Sequence, residues 1–140
     1  MIDEIRAYFK TTIAEVDPDL KQHKEYFTSE NVPDRKLEDT YFLQIGPLSS
    51  SFEDSSINGE FTTTLEIWKN GYKDVINNLD NAYCKAIEIQ AKLMDKTRID
   101  QLDFIKAVEG TSIEPVAVDS NDNLAKFVLQ FTVTVKYNAE

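Results

Sequence analysis

One segment constrains the fold of this chain more than any other. Residues Ala125–Tyr137, with the sequence AKFVLQFTVTVKY, alternate between an apolar face and a partly polar face. A period of two is the pattern of a β-strand, because successive side chains of a strand point to opposite sides of the sheet. At about 3.3 Å per residue, the segment predicts a strand roughly 43 Å long. Its partly polar second face predicts an antiparallel sheet that is covered on one side.

Two segments have the three- and four-residue spacing of apolar side chains that predicts amphipathic helices. The first runs from Ile2 to Val16 and ends at Asp17, because the residue before Pro18 is kept out of helical geometry. The second runs from Tyr72 to Asp95. We expect its apolar stripe to cover the sheet, and a groove for a partner helix is the alternative. The stripe comprises Tyr72, Val75, Ile76, Leu79, Ala82, Tyr83, Ala86, Ile87, Gln90, Leu93 and Met94.

Between these helices the sequence predicts two strands joined by an unusual connection. Thr40–Gly46 is a short strand that we expect to end at Gly46 and Pro47. Glu60–Lys69 alternates clearly and predicts a second strand. The intervening segment, LSSSFEDSSING, is rich in serine and acid and can bury little. Residues 48–59 are therefore predicted to form a long mobile loop or a hairpin arm, which we interpret as an arm between subunits.

The last third of the chain predicts a terminal hairpin. Thr111–Asp119 is extended, and Pro115 favours an edge strand because proline cannot donate to a neighbouring strand. Residues 119–123 are turn formers that lead into the long strand. A length of 140 residues suits one domain, residues 1–140. The predicted fold is α+β: an antiparallel or mixed β-sheet packed on one face by two α-helices, with an extended loop or hairpin arm.

The charge and hydropathy of the chain exclude several classes of function. Its formal net charge is −10, from 25 acidic and 15 basic residues, which disfavours a domain that reads nucleic acid. An apolar run of the roughly 18 to 20 residues that span a membrane is absent from the sequence. The first residues lack the pattern of a signal peptide. We therefore expect a soluble protein that is not exported and does not enter a membrane.

Candidate catalytic and metal-binding residues are few. The single cysteine, Cys84, excludes an internal disulfide, and we expect it to be a small residue of the core. The single histidine, His23, lies in a charged run and is expected to be solvated. Asp119, Asn121 and Asn123 resemble the start of a calcium loop, but the later positions of such a loop are wrong, so a turn is the better interpretation. Widely spaced glycines exclude a phosphate-binding loop. The sequence predicts no enzyme, cofactor or metal.

The order of these elements resembles the tail terminator family of long-tailed bacteriophages. The resemblance covers nearly the whole chain. It is carried by Ile2–Val16, Tyr41–Gly46, Phe61–Trp68, Tyr72–Met94 and Thr111–Tyr137. It implies a virion protein of the tail or neck, assembled in the host cytoplasm as a hexameric ring. Such a ring binds the end of the tail tube protein, stops polymerisation of the tube, and presents a surface to the head-completion or connector protein. DNA passes through the ring without specific binding.

Three acidic residues on or beside the predicted arm are candidates for the lumen or for contacts between subunits: Glu53, Asp54 and Glu60. An acidic lumen would keep the DNA duplex from adhering. The alternatives are a small-molecule or peptide-binding α+β module without catalysis, with an apolar pocket between helix and sheet, and a hydrolase on a similar scaffold. A measurement of mass in solution separates a ring from a ligand-binding monomer.

Overall fold

The computed structural model describes residues 2–23, 39–53, 56–70, 75–103, 105–116 and 124–138, and it confirms the α+β fold. A five-stranded mixed sheet has the strand order β1-β2-β3-β5-β4, with helices on one face. In chain order the elements are α1 (Ile2–Val16), β1 (Lys21–Gln22), β2 (Thr40–Glu53), β3 (Ser56–Asn70), α2 (Val75–Leu93), α3 (Lys96–Ile99), β4 (Ile105–Val116) and β5 (Leu124–Asn138).

The two long strands β3 and β5 form the centre of the sheet. They pair antiparallel along their whole length, from Ser56 opposite Asn138 to Asn70 opposite Leu124, without a register shift. The strand that the sequence predicts at Ala125–Tyr137 is thus confirmed as β5. An uninterrupted pairing fixes which side chains share a face, since a slip by one residue would move each side chain to the other side.

The apolar core lies between this sheet and the helices α1 and α2. Phe9 of α1 meets Phe131 of β5 edge to face, with ring centroids 5.4 Å apart and an interplanar angle of 89°, the geometry that aromatic quadrupoles favour. The alternate apolar residues of β3 and β5 are buried beneath the helices, as predicted. The sheet contributes Tyr41, Leu43, Phe61, Leu65, Ile67, Ile105, Val108, Phe127, Leu129, Phe131, Val133 and Val135, and α1 contributes Ile5, Tyr8, Phe9, Ile13 and Val16.

Helix α2 is rotated relative to the sequence prediction. Ile89, which was left out of the predicted stripe, is buried, whereas Ile87 and Met94 are 45% and 39% exposed. Cys84 is exposed as well, so its predicted place in the core is wrong. The reason is that α2 has apolar residues on two sides, and spacing alone does not say which side meets the sheet. The buried side is formed by Ala82, Ala86, Ile89 and Leu93.

The sequence predicted that β2 ends at Gly46 and Pro47, but the strand continues beyond them. The pairing with β3 shifts register between Ile45 and Leu48 and then continues to Glu53. Gly46 has a φ of 125°, which glycine adopts readily and other residues rarely do. A bulge of this kind lets proline stand in a strand because the ladder is already interrupted there.

The described residues of this segment, 48–53 and 56–59, therefore pair as a hairpin arm, the second of the two predicted forms. Leu48 lies opposite Phe61, and the pairing runs to Glu53 opposite Ser56. Strand β5 stays paired with β3 up to Ser56, opposite Asn138. Strand β4 begins to pair with β5 only at Ile105, opposite Val135. The end of the arm, Ser51–Glu53 and Ser56–Asn58, thus runs on past β4 together with the last residues of β5. The mobility predicted for this arm stays a prediction.

The two edges of the sheet are irregular. Strand β4 is an edge strand, as Pro115 predicted, and its pairing with β5 has register shifts after Ile105 and after Gly110. At the other edge, β1 pairs parallel with β2 over two residues, Lys21 with Thr40 and Gln22 with Tyr41. Within the described ranges no strand pairs with the outer side of β2 after Tyr41.

Burial raises the pKa of the Tyr41 hydroxyl to about 12. The unfolded chain loses this proton near pH 10, as tyrosine ordinarily does. The contribution of Tyr41 to stability is therefore complete below about pH 10 and lost as the pH rises towards 12. We expect Tyr41→Phe to lose less stability than the wild type over this interval, measured as the change in urea midpoint. Equal losses in the two proteins would contradict this assignment.

Candidate functional site

The face of the sheet opposite the helices is the candidate functional site, and we call it the helix-free face. It is built from the alternate residues of each strand that do not enter the core. Most of its side chains are polar and half-buried or exposed. Those that the structure describes include Gln44 and Ser49 of β2, Glu60, Thr62, Thr64, Glu66 and Trp68 of β3, Lys126, Val128, Gln130, Thr132 and Thr134 of β5, and Glu109, Ser112 and Glu114 of β4.

A compact cluster fixes one end of the helix-free face. The indole Nε1 of Trp68 donates to Oε1 of Glu66 at 2.7 Å. The Lys126 Nζ lies 3.4 Å from the same oxygen and 5.2 Å from the centroid of the Trp68 ring. The ammonium group is therefore held by an ion pair and a cation–π contact together. Each group in the cluster restrains the next, so this end of the face is rigid.

The centre of the face carries short β-branched and amide side chains. Thr64 Oγ1 donates to Gln130 Oε1 at 3.0 Å across the two central strands. One row further along, Thr62 lies opposite Thr132. Threonine packs well on a pleated surface, and cross-strand pairs of this kind stabilise it. The result is a polar surface on a strand pair whose other side is buried in the core.

Acidic residues border this polar centre. Glu60 lies opposite Thr134, Glu109 opposite Thr132 and Glu114 opposite Val128, and all three glutamates are exposed. Of the side chains that the structure describes on this face, Lys126 is the positively charged one, and it is already paired with Glu66. The described part of the face therefore has an excess of negative charge, as does the whole chain.

The sheet separates the two residues that were candidates for nucleophilic chemistry. His23, which the sequence predicted to be solvated, is instead half-buried, and its ring stacks on Phe42, with centroids 5.0 Å apart and planes at 15°. Phe42 is paired with Glu66, which places it on the helix-free face. Cys84 lies on the solvent side of α2, in the layer on the other side of the sheet. A thiol and a base on opposite sides of a sheet cannot form a catalytic pair.

An open groove of about 550 Å³ lies beside α1 and α3. Arg98 spans its floor: its guanidinium lies 2.8 Å from Glu15 Oε2 and donates to Thr12 Oγ1 at 3.0 Å. The hydrogen bond to Glu15 is the main cause that raises the pKa of Arg98. These contacts tie α3 to α1 and leave the arginine engaged within the protein.

Tyr8 closes the inner side of this groove. Its hydroxyl donates to the carbonyl oxygen of Leu93 at 2.8 Å, which ties α1 to the end of α2. Burial raises the pKa of Tyr8, although the neighbouring Arg98 lowers it in part. The hydroxyl therefore stays protonated at neutral pH and acts as a donor. The contacts of Tyr8 and Arg98 thus hold α1, α2 and α3 together at this groove.

In the described part of the chain, no three acidic, cysteine or histidine side chains converge as metal ligands would. None of the described helices combines the length and the apolar character needed to cross a bilayer.

Comparisons with known proteins gave one kind of match. No protein family model matches the chain, and no curated protein does. Among solved structures, the chain is similar to one in the virion of a native gene transfer agent (GTA) particle. The two superpose with a TM-score of 0.49 and 7% sequence identity, over 94% of this chain and 93% of the other.

The three residues that the sequence proposed for the lumen or an interface fall in different places. Glu60 is exposed on the helix-free face, on β3. Glu53 is the last residue of β2, opposite Ser56, at the tip of the arm. Asp54 lies outside the described residues. With a rise of about 3.3 Å per residue, Glu60 is roughly 13 Å along β3 from the row of Glu53. Their role in a lumen or interface stays a prediction.

Sequence reasoning did not single out Glu66, Trp68, Lys126, Glu109 or Glu114. The first three lie on predicted strands, and the period of two alone places them on the second face. Pairing Glu66 with Lys126 requires the register of β3 against β5, and placing Glu109 and Glu114 requires the two register shifts of β4. The acidic border of the face could therefore not be assembled from sequence pattern alone.

Proposed function

We propose that this chain is a structural virion protein of the tail terminator kind. Copies of it form a hexameric ring that caps the tail tube, ends its polymerisation and offers a joining surface to a head-completion protein. The observation that carries the proposal is the helix-free face: a rigid, polar, acidic sheet surface that continues along a three-stranded arm. Such a surface suits contact with protein subunits and with passing DNA. An open surface of this kind does not suit a buried active site.

The acidic border supports a role beside DNA. Double-stranded DNA carries one negative charge per about 1.7 Å of its axis. Glu60, Glu109 and Glu114 would repel it, and the polar centre of the face offers it no described free cation. In this proposal the helix-free face lines the lumen, and Glu53 and Asp54 are further candidates for lumen or subunit contacts.

The arm supports contact with a neighbouring subunit. Past the start of β4 it projects over Ser51–Glu53, roughly 10 Å along the strand direction. A projection of this kind could contact the surface of a neighbouring copy. A contact between an arm and a different surface is heterologous, and heterologous contacts that close produce rings.

The proposal is tested by mass measurement and electron microscopy. Purified chain alone and chain mixed with isolated tail tubes are compared by native mass spectrometry and by negative-stain imaging of tube ends. We expect ring-shaped caps at tube ends and tubes of fixed length. A chain that neither caps tubes nor changes their length distribution would overturn the proposal, whatever its mass in solution.

The acidic border gives a second prediction. In the triple variant Glu60→Lys, Glu109→Lys and Glu114→Lys, we expect binding of duplex DNA at low ionic strength, measured by fluorescence anisotropy, where the wild type does not bind. A control with the same change in net charge on the helix side uses the exposed Asp80, Asp100 and Asp103. If the control binds DNA as well as the triple variant, the face has no special relation to DNA.

The groove at α1 and α3 favours a second candidate, a small-molecule or peptide-binding module without catalysis. Its size is that of small-ligand pockets, and a ligand carboxylate could take the place of Glu15 on Arg98 at its floor, beside Gln101. Native mass spectrometry distinguishes the candidates. A monomer that carries a small molecule, lost in Arg98→Met, would support this module, whereas a ligand-free chain that caps tubes would exclude it.

A further inference from the structure

The end of α2 is joined to the edge strand β4 by a hydrogen bond to sulfur. The backbone N–H of Gly110 donates to the thioether sulfur of Met94 at 3.3 Å. Met94 follows the last residue of α2 and continues its last turn, because its own N–H donates to the carbonyl oxygen of Gln90 at 3.0 Å. A thioether is a weak acceptor, and here it satisfies a donor of a strand at the edge of the sheet.

Gly110 allows the strand to approach the helix closely. A Cβ added at this position would lie 2.5 Å from Gln90 Nε2 and 2.9 Å from Gln90 Cγ, closer than a real Cβ comes to another side chain. Glycine fits because it has no Cβ. Gln90 and Met94 are about one helical turn apart. The same turn of the helix therefore holds Gly110 both by packing and by the hydrogen bond.

The pairing of β4 with β5 is interrupted at the same point. Its register shifts between Gly110 and Ser112, and a shift of this kind leaves a residue outside the regular ladder. The Thr111 hydroxyl donates to the carbonyl oxygen of Gln130 at 3.3 Å, which holds the shift from the side of β5. From the side of the helices, the contact with Met94 secures the strand where its ladder is broken.

We propose that Met94 is a redox-sensitive switch that holds β4 against α2 when its sulfur is a thioether and releases the strand when the sulfur is oxidised. The side chain is 39% exposed, so hydrogen peroxide can reach it. A sulfur lone pair attacks one oxygen of the peroxide. The S–O bond forms, the O–O bond breaks, and the second oxygen leaves as water. The sulfur gives up two electrons, the peroxide takes them, and the product is methionine sulfoxide.

The new oxygen does not fit the present contact. A hydrogen bond from an N–H to an oxygen takes about 2.9 Å, which nearly fills the 3.3 Å that now separates the Gly110 nitrogen from the sulfur itself. The oxygen fits between them only if the sulfur moves away. Gln90 occupies the space beside Gly110, which leaves the sulfoxide little room to accept from the side. We therefore expect the last turn of α2 and β4 to separate.

Release of β4 would affect the acidic border of the helix-free face. Glu109 belongs to that border and directly precedes Gly110 on β4. Oxidation of Met94 would thus loosen the strand at one of the border's three glutamates. Methionine sulfoxide reductases reverse the oxidation, so the switch can return. The inference does not rest on a role in a virion, and either can fail without the other.

Hydrogen exchange of single amides, followed by NMR, tests the switch. The protein carries Cys84→Ser, so that the exposed thiol does not react as well. After treatment with hydrogen peroxide, peptide mass spectrometry should show one added oxygen atom on Met94. We expect the Gly110 amide then to exchange about tenfold faster, because it has lost its acceptor. Treatment with the methionine sulfoxide reductases for both epimers should restore the first rate.

Two controls separate local release from other effects. Met94→Leu keeps the approximate volume of the side chain but has no sulfur, so its Gly110 amide should exchange fast with and without peroxide. The amide of Val133, which is buried in the centre of β5, should not change on oxidation. The proposal is overturned by slow exchange of Gly110 in Met94→Leu, by unchanged exchange after oxidation of Met94, or by equal acceleration at Val133. Resistance of Met94 to peroxide that converts free methionine would contradict it too.

Gly110→Ala tests the close approach without any oxidation. The added methyl group meets Gln90 and should push β4 away from α2, so we expect the amide at position 110 to exchange about tenfold faster in the untreated protein. Adding Gln90→Ala removes the atoms that the methyl group meets, and we expect slower exchange to return. If Gly110→Ala alone exchanges as slowly as the wild type, the strand does not depend on this contact and the proposal fails.

Discussion

Replacing Lys69 with methionine is expected to lower the free energy of unfolding by about 3 kcal/mol. The Lys69 Nζ lies 2.9 Å from Oδ2 of Asp17 and 3.2 Å from Oδ1 of Asp39. Asp17 is 2% exposed, so the variant would leave its carboxylate buried beside an apolar side chain. A buried charge without its partner is strongly destabilising, much more so than loss of a surface ion pair. Urea unfolding at neutral pH measures the loss.

The same contact has a defined pH dependence. Burial lowers the pKa of Lys69, but the hydrogen bonds and charges of Asp17 and Asp39 outweigh burial, so the pKa lies above its ordinary value. In the unfolded chain the pKa of lysine is near 10.4, and below that pH the contact contributes its full stabilisation. The stabilisation is lost as the pH rises through the higher pKa of Lys69 in the folded chain. We therefore expect the difference in free energy of unfolding between the wild type and Lys69→Met to decrease in strong alkali.

Two further variants make this prediction specific. The Asp39 side chain is 37% exposed, so Asp39→Asn should cost less than about 1 kcal/mol. Adding Asp17→Asn to Lys69→Met removes the buried charge, so the double variant should be more stable than the sum of the single losses implies. A cost for Lys69→Met no larger than that for Asp39→Asn would show that Asp17 finds another partner.

Phe131→Ala is expected to cost about 4 kcal/mol, a large part of the stability of a domain this size. Phe131 is 1% exposed, lies on β5 in the middle of the sheet and packs edge to face on Phe9. Truncation removes the buried ring and leaves a cavity that strands fixed on both sides cannot close. Thermal unfolding followed by circular dichroism measures the loss.

The matched control for Phe131 lies on the same strand. Val128 is half-buried on the helix-free face, and Val128→Ala should cost about 1 kcal/mol or less. The comparison tests which face of β5 carries the core, because both substitutions shorten a side chain on the same strand. Equal costs at the two positions would contradict the register on which the helix-free face is defined.

The sequence predicted most of the fold because the long strands carry a strong alternating pattern. The apolar residues of β5 lie on the buried face as expected, and α1 buries the predicted face. The predictions were wrong where one sequence pattern is compatible with two structures. Cys84 was assigned to the core because α2 is apolar on two sides, and β2 was ended at Gly46 because a bulge and a breaker have the same sequence.

The site was less accessible to prediction than the fold. Glu60 was found because it borders the arm, but nothing in a linear pattern connects it with Glu109. The two come to one face because β5 lies between β3 and β4, with Thr134 opposite Glu60 and Thr132 opposite Glu109. A non-sequential strand order of this kind is a product of tertiary packing, and period and propensity contain no information about it.

The two irregular edges of the sheet limit how copies of this chain can add to one another. Pro47 lies in the register shift of β2, and β4 has two register shifts and Pro115, so both edges lack part of the regular row of donors that another strand would need. Interrupted edges of this kind protect sheets from adding strands without limit into fibrils. Association must then use faces, helices or the arm, whose contacts can be satisfied and closed. A molecule with such edges can accumulate at high concentration and still stop at a finite number of copies.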